Sequence, residues 1–264
     1  MKRIASPWFT VPVARRNPRL RLFCFPYAGG GASVFRDWPR LLPDEIELVA
    51  VQLPGRESRF GEPAVRHLPE LIGALVEATA TCDDVPFASF GHSLGTLLSC
   101  EWALQLQRRG SRTPLYMIVS GRGTPHQARA DAQTHRLPEE EFIQMLRAMH
   151  GTPEEILRDR ETMRALLPAL RADFAIAADM PISPPRPLPC GLSVYGGLAD
   201  ADVPRDHLQE WQRYSAQPIR VRMFPGGHFF LHSAQQALLE AVVRDLYAAL
   251  RASSDTPSFV EHTS

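Results

Sequence analysis

Short apolar runs at residues 21–25, 46–51, 87–90, 115–120, 192–195 and 219–224 recur along the chain, each bounded by glycine, proline or polar residues. Each has the length of a strand. Most run without the alternation of a half-exposed strand, as expected of a parallel sheet covered on both faces. Between them, residues 68–80, 94–109, 206–215 and 234–251 repeat apolar positions at helical spacing. Strands alternating with helices predict an α/β fold with a mostly parallel central sheet flanked by helices.

The alternation breaks between residues 126 and 189, where no strand pattern occurs and helical patterns fall near 138–149, 153–159 and 161–178. A helical insertion before the strand at 192–195 is expected to lie over the carboxyl ends of the strands, where open α/β sheets bind ligands, and so to act as a lid. Its Phe142, Met145, Met149, Met163, Phe174 and Met180 suit either an acyl chamber or the insertion's own core. Residues 1–18, broken by Pro7, Pro12 and Pro18, are expected to run extended over the surface, and residues 253–264 read as a disordered tail. The whole is expected to be one domain over residues 1–252.

Composition narrows the function classes. The 264 residues carry 29 basic and 29 acidic side chains, so nothing points to nucleic acid. Cys24, Cys82, Cys100 and Cys190 stand singly, without the paired spacing of a zinc site, and read as reduced thiols. The amino terminus lacks the apolar core of a signal peptide and no run approaches the roughly 18 apolar residues of a membrane span, so a cytoplasmic protein is expected.

The chemistry centres on Gly91-His92-Ser93-Leu94-Gly95, a G-x-S-x-G pentapeptide between a strand pattern and a helix pattern. In that context the serine sits on a sharp strand-to-helix turn with its hydroxyl presented, which makes Ser93 the candidate nucleophile. A serine needs a base, and α/β hydrolases place Asp or Glu and then His after it in the chain. His228 follows the strand at 219–224 through Pro225-Gly226-Gly227 and is the candidate base, with His232 its nearest rival. For the acid, Asp200 and Asp202 compete. Asp200 is favoured, because Asp202 directly precedes Val203-Pro204 and can equally cap a following helix. Two backbone donors are expected to form an oxyanion hole: Leu94 after the nucleophile, and Ala28 in the loop Phe25-Pro26-Tyr27-Ala28-Gly29-Gly30-Gly31. That loop lacks G-x-G-x-x-G and a following Lys-Ser/Thr, which disfavours a phosphate cradle.

Taken with Gln52-Leu53-Pro54-Gly55-Arg56-Glu57, Ser120-Gly121-Arg122, Leu170-Arg171-Ala172-Asp173-Phe174 and Gly226-Gly227-His228-Phe229, the sequence resembles the type II thioesterases of polyketide synthases and nonribosomal peptide synthetases. The resemblance spans most of the chain. It implies an α/β-hydrolase fold, a triad of Ser93, Asp200 and His228, and a lid-covered acyl chamber lined by Tyr27, Met145, Met149, Phe174 and Phe229. It further implies a monomeric, free-standing enzyme that needs no cofactor or metal. Its partners would be acyl or peptidyl carrier proteins bearing acyl-phosphopantetheine, and its task the removal of stalled acyl groups from them. Carrier proteins are typically acidic, so a basic rim is expected at the pocket mouth, with Arg36, Arg40, Arg56, Arg59 and the arginines of the insertion as its candidates. Two departures stand out: Tyr27 where the family often has His, and Leu198 where a more polar residue is common. The alternatives are a carboxylesterase or acyltransferase on small acyl esters, and a non-catalytic partner with a hydrolase fold.

Overall fold

A computed structural model describes residues 4–125, 134–179 and 186–254. Seven strands form one sheet in the spatial order β1-β3-β2-β4-β5-β6-β7. They are β1 (Phe9–Thr10), β2 (Leu20–Phe25), β3 (Ile46–Val51), β4 (Phe87–His92), β5 (Tyr116–Ser120), β6 (Gly191–Gly197) and β7 (Arg220–Phe224). Neighbouring strands from β3 through to β7 are parallel. The six expected strands are all present within about two residues of their sequence bounds.

One strand was not foreseen. Residues Phe9 and Thr10 pair antiparallel with Val51 and Ala50 at the sheet edge, and Phe9 is buried against Phe23. The amino-terminal stretch therefore does not simply run over the surface. A two-residue strand is too short to show any periodicity.

The uninterrupted apolar runs have the predicted cause. Every residue of β2, β3 and β4 is buried, because helices pack on both faces. On one face lie α1 (Leu68–Thr79) and α2 (Leu94–Arg108), with Trp102 wedged among Phe23, Phe25 and Phe87. On the other face α8 (Gln235–Ser254) packs Leu238, Leu239, Val242 and Leu246 near Trp38 and Phe90. The one charged residue inside β2, Arg21, is fully buried and is neutralised by Glu47 and Asp84 while donating to the Cys82 carbonyl. A buried guanidinium is tolerated only with such partners. Since α8 continues to Ser254, the tail begins later than residue 253, and residues 255–264 lie outside the described residues.

Between β5 and β6 the insertion contributes α3 (Glu139–Ala148), α4 (Glu154–Arg158) and α5 (Arg160–Ala178), close to the three helical patterns read from sequence. Asp159 caps α5, its Oδ1 accepting the amides of Glu161 and Thr162 at 3.0 and 3.3 Å. Phe142, Leu146, Leu157, Met163, Leu167, Leu170 and Phe174 form a small core of their own, against which Ala28 packs. The insertion thus sits over the loop that follows β2. Two short helices, α6 (Arg205–Gln209) and α7 (Phe230–Ser233), complete the chain after β6 and β7.

Candidate active site

Ser93 occupies the junction of β4 and α2 with φ 53° and ψ −114°, a conformation that side chains rarely adopt. The surroundings hold it there. Its amide donates to the Ser120 carbonyl at 2.8 Å, and Thr96 Oγ1 donates to the Gly91 and Ser120 carbonyls at 2.7 and 3.0 Å. The flanking glycines are required by contact: a Cβ on Gly91 would strike the Gly95 carbonyl, and one on Gly95 would strike the carbonyls of Phe25 and Pro26. That second contact draws the loop after β2 against the turn.

The loops after β6 and β7 meet in the same way. A Cβ on Gly197 would overlap the carbonyls of Gly226 and Gly227, and the Leu198 and Ala199 amides donate across to Phe224 and Gly226 at 2.8 and 2.9 Å. Gly226 itself has φ 112°, open to glycine alone. This backbone stapling places His228 Nδ1 2.8 Å from Asp200 Oδ2. Asp200 is almost fully buried, and its Oδ1 accepts the amides of Asp202 and Val203 at 3.2 and 3.3 Å. Of the two aspartates, the one in contact with the imidazole is Asp200. A carboxylate can only accept, so the proton lies on Nδ1 and the Nε2 lone pair is left for chemistry.

His92 was read only as the variable position of the pentapeptide, yet it buttresses this arrangement. It is fully buried, with Nε2 3.0 Å from the His228 carbonyl and Nδ1 2.9 Å from Ser120 Oγ. The carbonyl requires Nε2–H as donor, so Nδ1 accepts from the Ser120 hydroxyl. Burial, reinforced by the neighbouring His228, holds the His92 pKa well below its ordinary value. The ring is therefore neutral. His232, the rival base, instead lies 3.0 Å from the Tyr27 hydroxyl.

Of the expected oxyanion donors, Leu94 adjoins Ser93 in the chain and Ala28 lines the same cleft. Leu94 is the first residue of α2, so its amide has no carbonyl one turn back to bind. In the loop after β2, the amides of Gly29 and Gly30 are used internally, by Asp173 Oδ2 at 2.7 Å and the Tyr27 carbonyl at 2.9 Å. The amide of Ala28 finds no partner among the described residues.

Ser93 and His228 open onto a narrow cleft of about 40 Å³, lined also by Tyr27, Ala28, Met149, Phe174 and Phe229. Leu170, from the motif at 170–174, and Leu146, Gly151 and Thr152, which did not stand out in the sequence, complete it. Met145 does not line it. It packs on the insertion's own core, as Phe142 and Met163 do, while Met180 lies outside the described residues. The cleft shares lining residues with two wider cavities. One, of about 220 Å³, runs along the glycine loop past Glu57, Ile156 and Leu166. The other, of about 550 Å³, lies on the far side, along Asp200, Asp202, His228 and His232. A separate hollow of about 430 Å³, bordered by His67, Glu101 and Arg108, contains none of the site residues.

Two of the expected rim arginines are not on a rim. Arg56 is buried in a two-pronged pair with Asp173, and Arg59 pairs with Glu62 beneath the ring of Trp8. Arg36 and Arg40 are exposed. Among the described residues no group of His, Cys, Asp and Glu could hold a metal ion, and no helix is long and apolar enough to cross a membrane.

Several known proteins are similar to this chain along nearly their whole length. The gramicidin S biosynthesis protein GrsT of Aneurinibacillus migulanus is 38% identical over 245 residues, covering 93% of this chain and 96% of GrsT. Among solved structures, the type II thioesterase BorB from the borrelidin biosynthetic cluster superposes with a TM-score of 0.82 at 29% identity, over 91% of this chain and 98% of BorB. YbtT, a type II thioesterase from the yersiniabactin NRPS/PKS pathway, superposes with a TM-score of 0.79 at 26% identity, over 92% of this chain and 99% of YbtT. The model of the Thioesterase domain family matches residues 20–250, and the chain belongs to that family of α/β hydrolases.

Proposed function

We propose that this thioesterase hydrolyses acyl groups from the phosphopantetheine arm of carrier proteins in nonribosomal peptide or polyketide biosynthesis, with Ser93, His228 and Asp200 as its triad. The observation that carries the mechanism is the contact of His228 Nδ1 with a buried Asp200 on the same cleft as Ser93. The names of GrsT, BorB and YbtT support the setting. A cytoplasmic enzyme fits that setting, since carrier-bound intermediates are made there.

His228 Nε2 takes the proton of Ser93 Oγ as the oxygen attacks the thioester carbonyl. The amides of Leu94 and Ala28 receive the negative oxygen of the tetrahedral intermediate. As the C–S bond breaks, the proton on Nε2 passes to the departing thiolate, whose conjugate acid has an ordinary pKa of about 8.5 and so leaves readily. His228 then deprotonates water, which attacks the acyl-serine; collapse returns the proton to Ser93 and releases the free acid.

This proton route orients the substrate. The sulfur must lie within reach of His228, so the pantetheine arm occupies the 550 Å³ cavity and the acyl group extends into the 220 Å³ cavity along the glycine loop. The cleft between them, at about 40 Å³, is the narrowest part of this path. Movement of the insertion, whose Leu146, Met149, Leu170 and Phe174 line that cleft, would widen it for a thioester as a lid does.

The test is turnover of acyl-carrier thioesters, acyl-pantetheines and oxygen esters by the protein and by Ser93→Ala, followed by intact mass. Carrier thioesters are expected to turn over fastest and Ser93→Ala to be inactive. Faster turnover of oxygen esters would establish a carboxylesterase, and partitioning of product to an added alcohol or amine an acyltransferase.

A further inference from the structure

Two sequence segments, Pro54-Gly55-Arg56-Glu57 and Leu170-Arg171-Ala172-Asp173-Phe174, lie far apart in the chain and supply no group to the triad. They meet in the structure. Arg56 Nη1 and Nη2 approach Asp173 Oδ2 and Oδ1 at 2.5 and 2.9 Å, and both side chains are buried, at 5% and 1% exposure. Asp173 Oδ2 also accepts the Gly29 amide at 2.7 Å, while Arg56 Nη1 donates to the Gly30 carbonyl at 3.3 Å. An ion pair that serves only to join two elements has no need to grip the backbone of a third.

That backbone is the glycine loop, and the grip falls on the peptide next to Ala28. Peptide groups are planar and trans, so the Tyr27 carbonyl and the Ala28 amide point in opposite directions from one plane. The Tyr27 carbonyl is fixed by the Gly30 amide at 2.9 Å. The following plane, between Ala28 and Gly29, is fixed by Asp173. With both planes held, the Ala28 amide has a set direction. Without Asp173 the second plane would be anchored by nothing comparable, since Gly29 sits at φ 81° at the head of three successive glycines, whose backbone rotates freely.

We infer that Asp173, held by Arg56, is a positioning residue that presets the Ala28 amide as an oxyanion donor, so that docking of helix α5 and assembly of the oxyanion hole are one event. This rests on the reading of Ser93, Leu94 and Ala28 given above. Asp173 belongs to α5 of the insertion and Ala28 to the sheet loop. The lid therefore contributes to transition-state stabilisation without touching the substrate's reacting atoms.

The decisive variant is the double substitution Arg56→Met with Asp173→Leu, because replacing a buried pair by apolar residues of similar volume leaves no unpaired charge. It is expected to keep its melting temperature and KM for an acyl-N-acetylcysteamine thioester while kcat falls by about 10- to 100-fold, up to the worth of one oxyanion donor. Affinity for a thioether trifluoromethyl ketone, whose hemiketal oxygen mimics the intermediate, should weaken by the same factor as kcat/KM. Should the double variant fail to fold, Asp173→Leu alone, which removes the acceptor of the Gly29 amide and is expected to melt lower because Arg56 is left unpaired, is assayed below its melting transition with the same expectation for kcat and ketone affinity. A folded variant of either kind with kcat within about threefold of the parent, or with a raised KM and unchanged ketone affinity, overturns the inference. Residual activity of Ser93→Ala in the parent would overturn the mechanism itself, a result independent of both variants.

Discussion

His92 holds His228 by its main chain: the neutral Nε2–H of one imidazole donates to the carbonyl of the other residue at 3.0 Å, leaving the second ring free to pair with Asp200. Protonation of His92 would keep that donor but would place a charge in a fully buried ring beside His228. In the unfolded chain His92 titrates near its ordinary value of about 6.5. In the folded protein burial and then His228 depress it well below that. Between the two values the unfolded chain binds a proton that the folded one does not, so stability falls as the pH drops below about 6.5, at up to about 1.4 kcal/mol per pH unit. His92→Gln removes the titration and keeps a donor. Its melting temperature should decline less between about pH 7 and pH 5 than that of the parent, whereas parallel curves would refute the assignment.

The two aspartates after β6 are expected to differ sharply. Asp200→Asn should lower kcat by about 10⁴-fold through loss of the correct tautomer. Asp202, exposed and contributing its amide to Asp200, should tolerate Asn with kcat changed by less than about threefold. Comparable losses in both would move the acid to a shared role.

Gly197→Ala probes the stapling of the loops after β6 and β7. The added methyl has no room against the Gly226 and Gly227 carbonyls, so we expect a cost of about 1–3 kcal/mol in stability, seen in denaturant melts. Displacement of His228 should lower kcat by at least about tenfold as well. A variant with parental stability and kcat would show that the loops adjust without penalty.

The insertion's methionines separate into two kinds. Met149 faces the cleft, so Met149→Ala should change the ranking of acyl-chain lengths in kcat/KM while leaving the melting temperature nearly unaltered. Met145 packs on the Phe142 core, and Met145→Ala should cost stability, on the order of 1–2 kcal/mol for a partly buried side chain, with the chain-length ranking preserved. Interchanged outcomes would reverse these placements.

What the chain disclosed beforehand follows from what periodicity and chain order can carry. The six longer strands announced themselves because β2, β3 and β4 are buried on both faces and so read as unbroken apolar runs. Chain order and turn pattern singled out Ser93, Asp200 and His228, and the structure brings Asp200 to His228 and puts Ser93 and His228 on one cleft. The burial of Arg56 was not, because a side chain on a loop carries no mark of the partner it meets, and Asp173 lies in a helix added 117 positions later. For the same reason Met145 and Met149, one helical turn apart, could not be told apart before α3 was seen to end between them.

The least conspicuous element, the two-residue strand β1, has a reach beyond the sheet edge. The Trp8 carbonyl accepts the Gln52 amide at 2.9 Å, and the Trp8 ring lies 4.2 Å from the Arg59 guanidinium. Gln52 in turn ties the Ala32 amide to the Arg56 carbonyl, at 3.0 Å each. The amino terminus thus braces the glycine loop and the Arg56 loop from behind. Trimming the first ten residues would remove that brace, so its effect is expected in turnover as well as in stability.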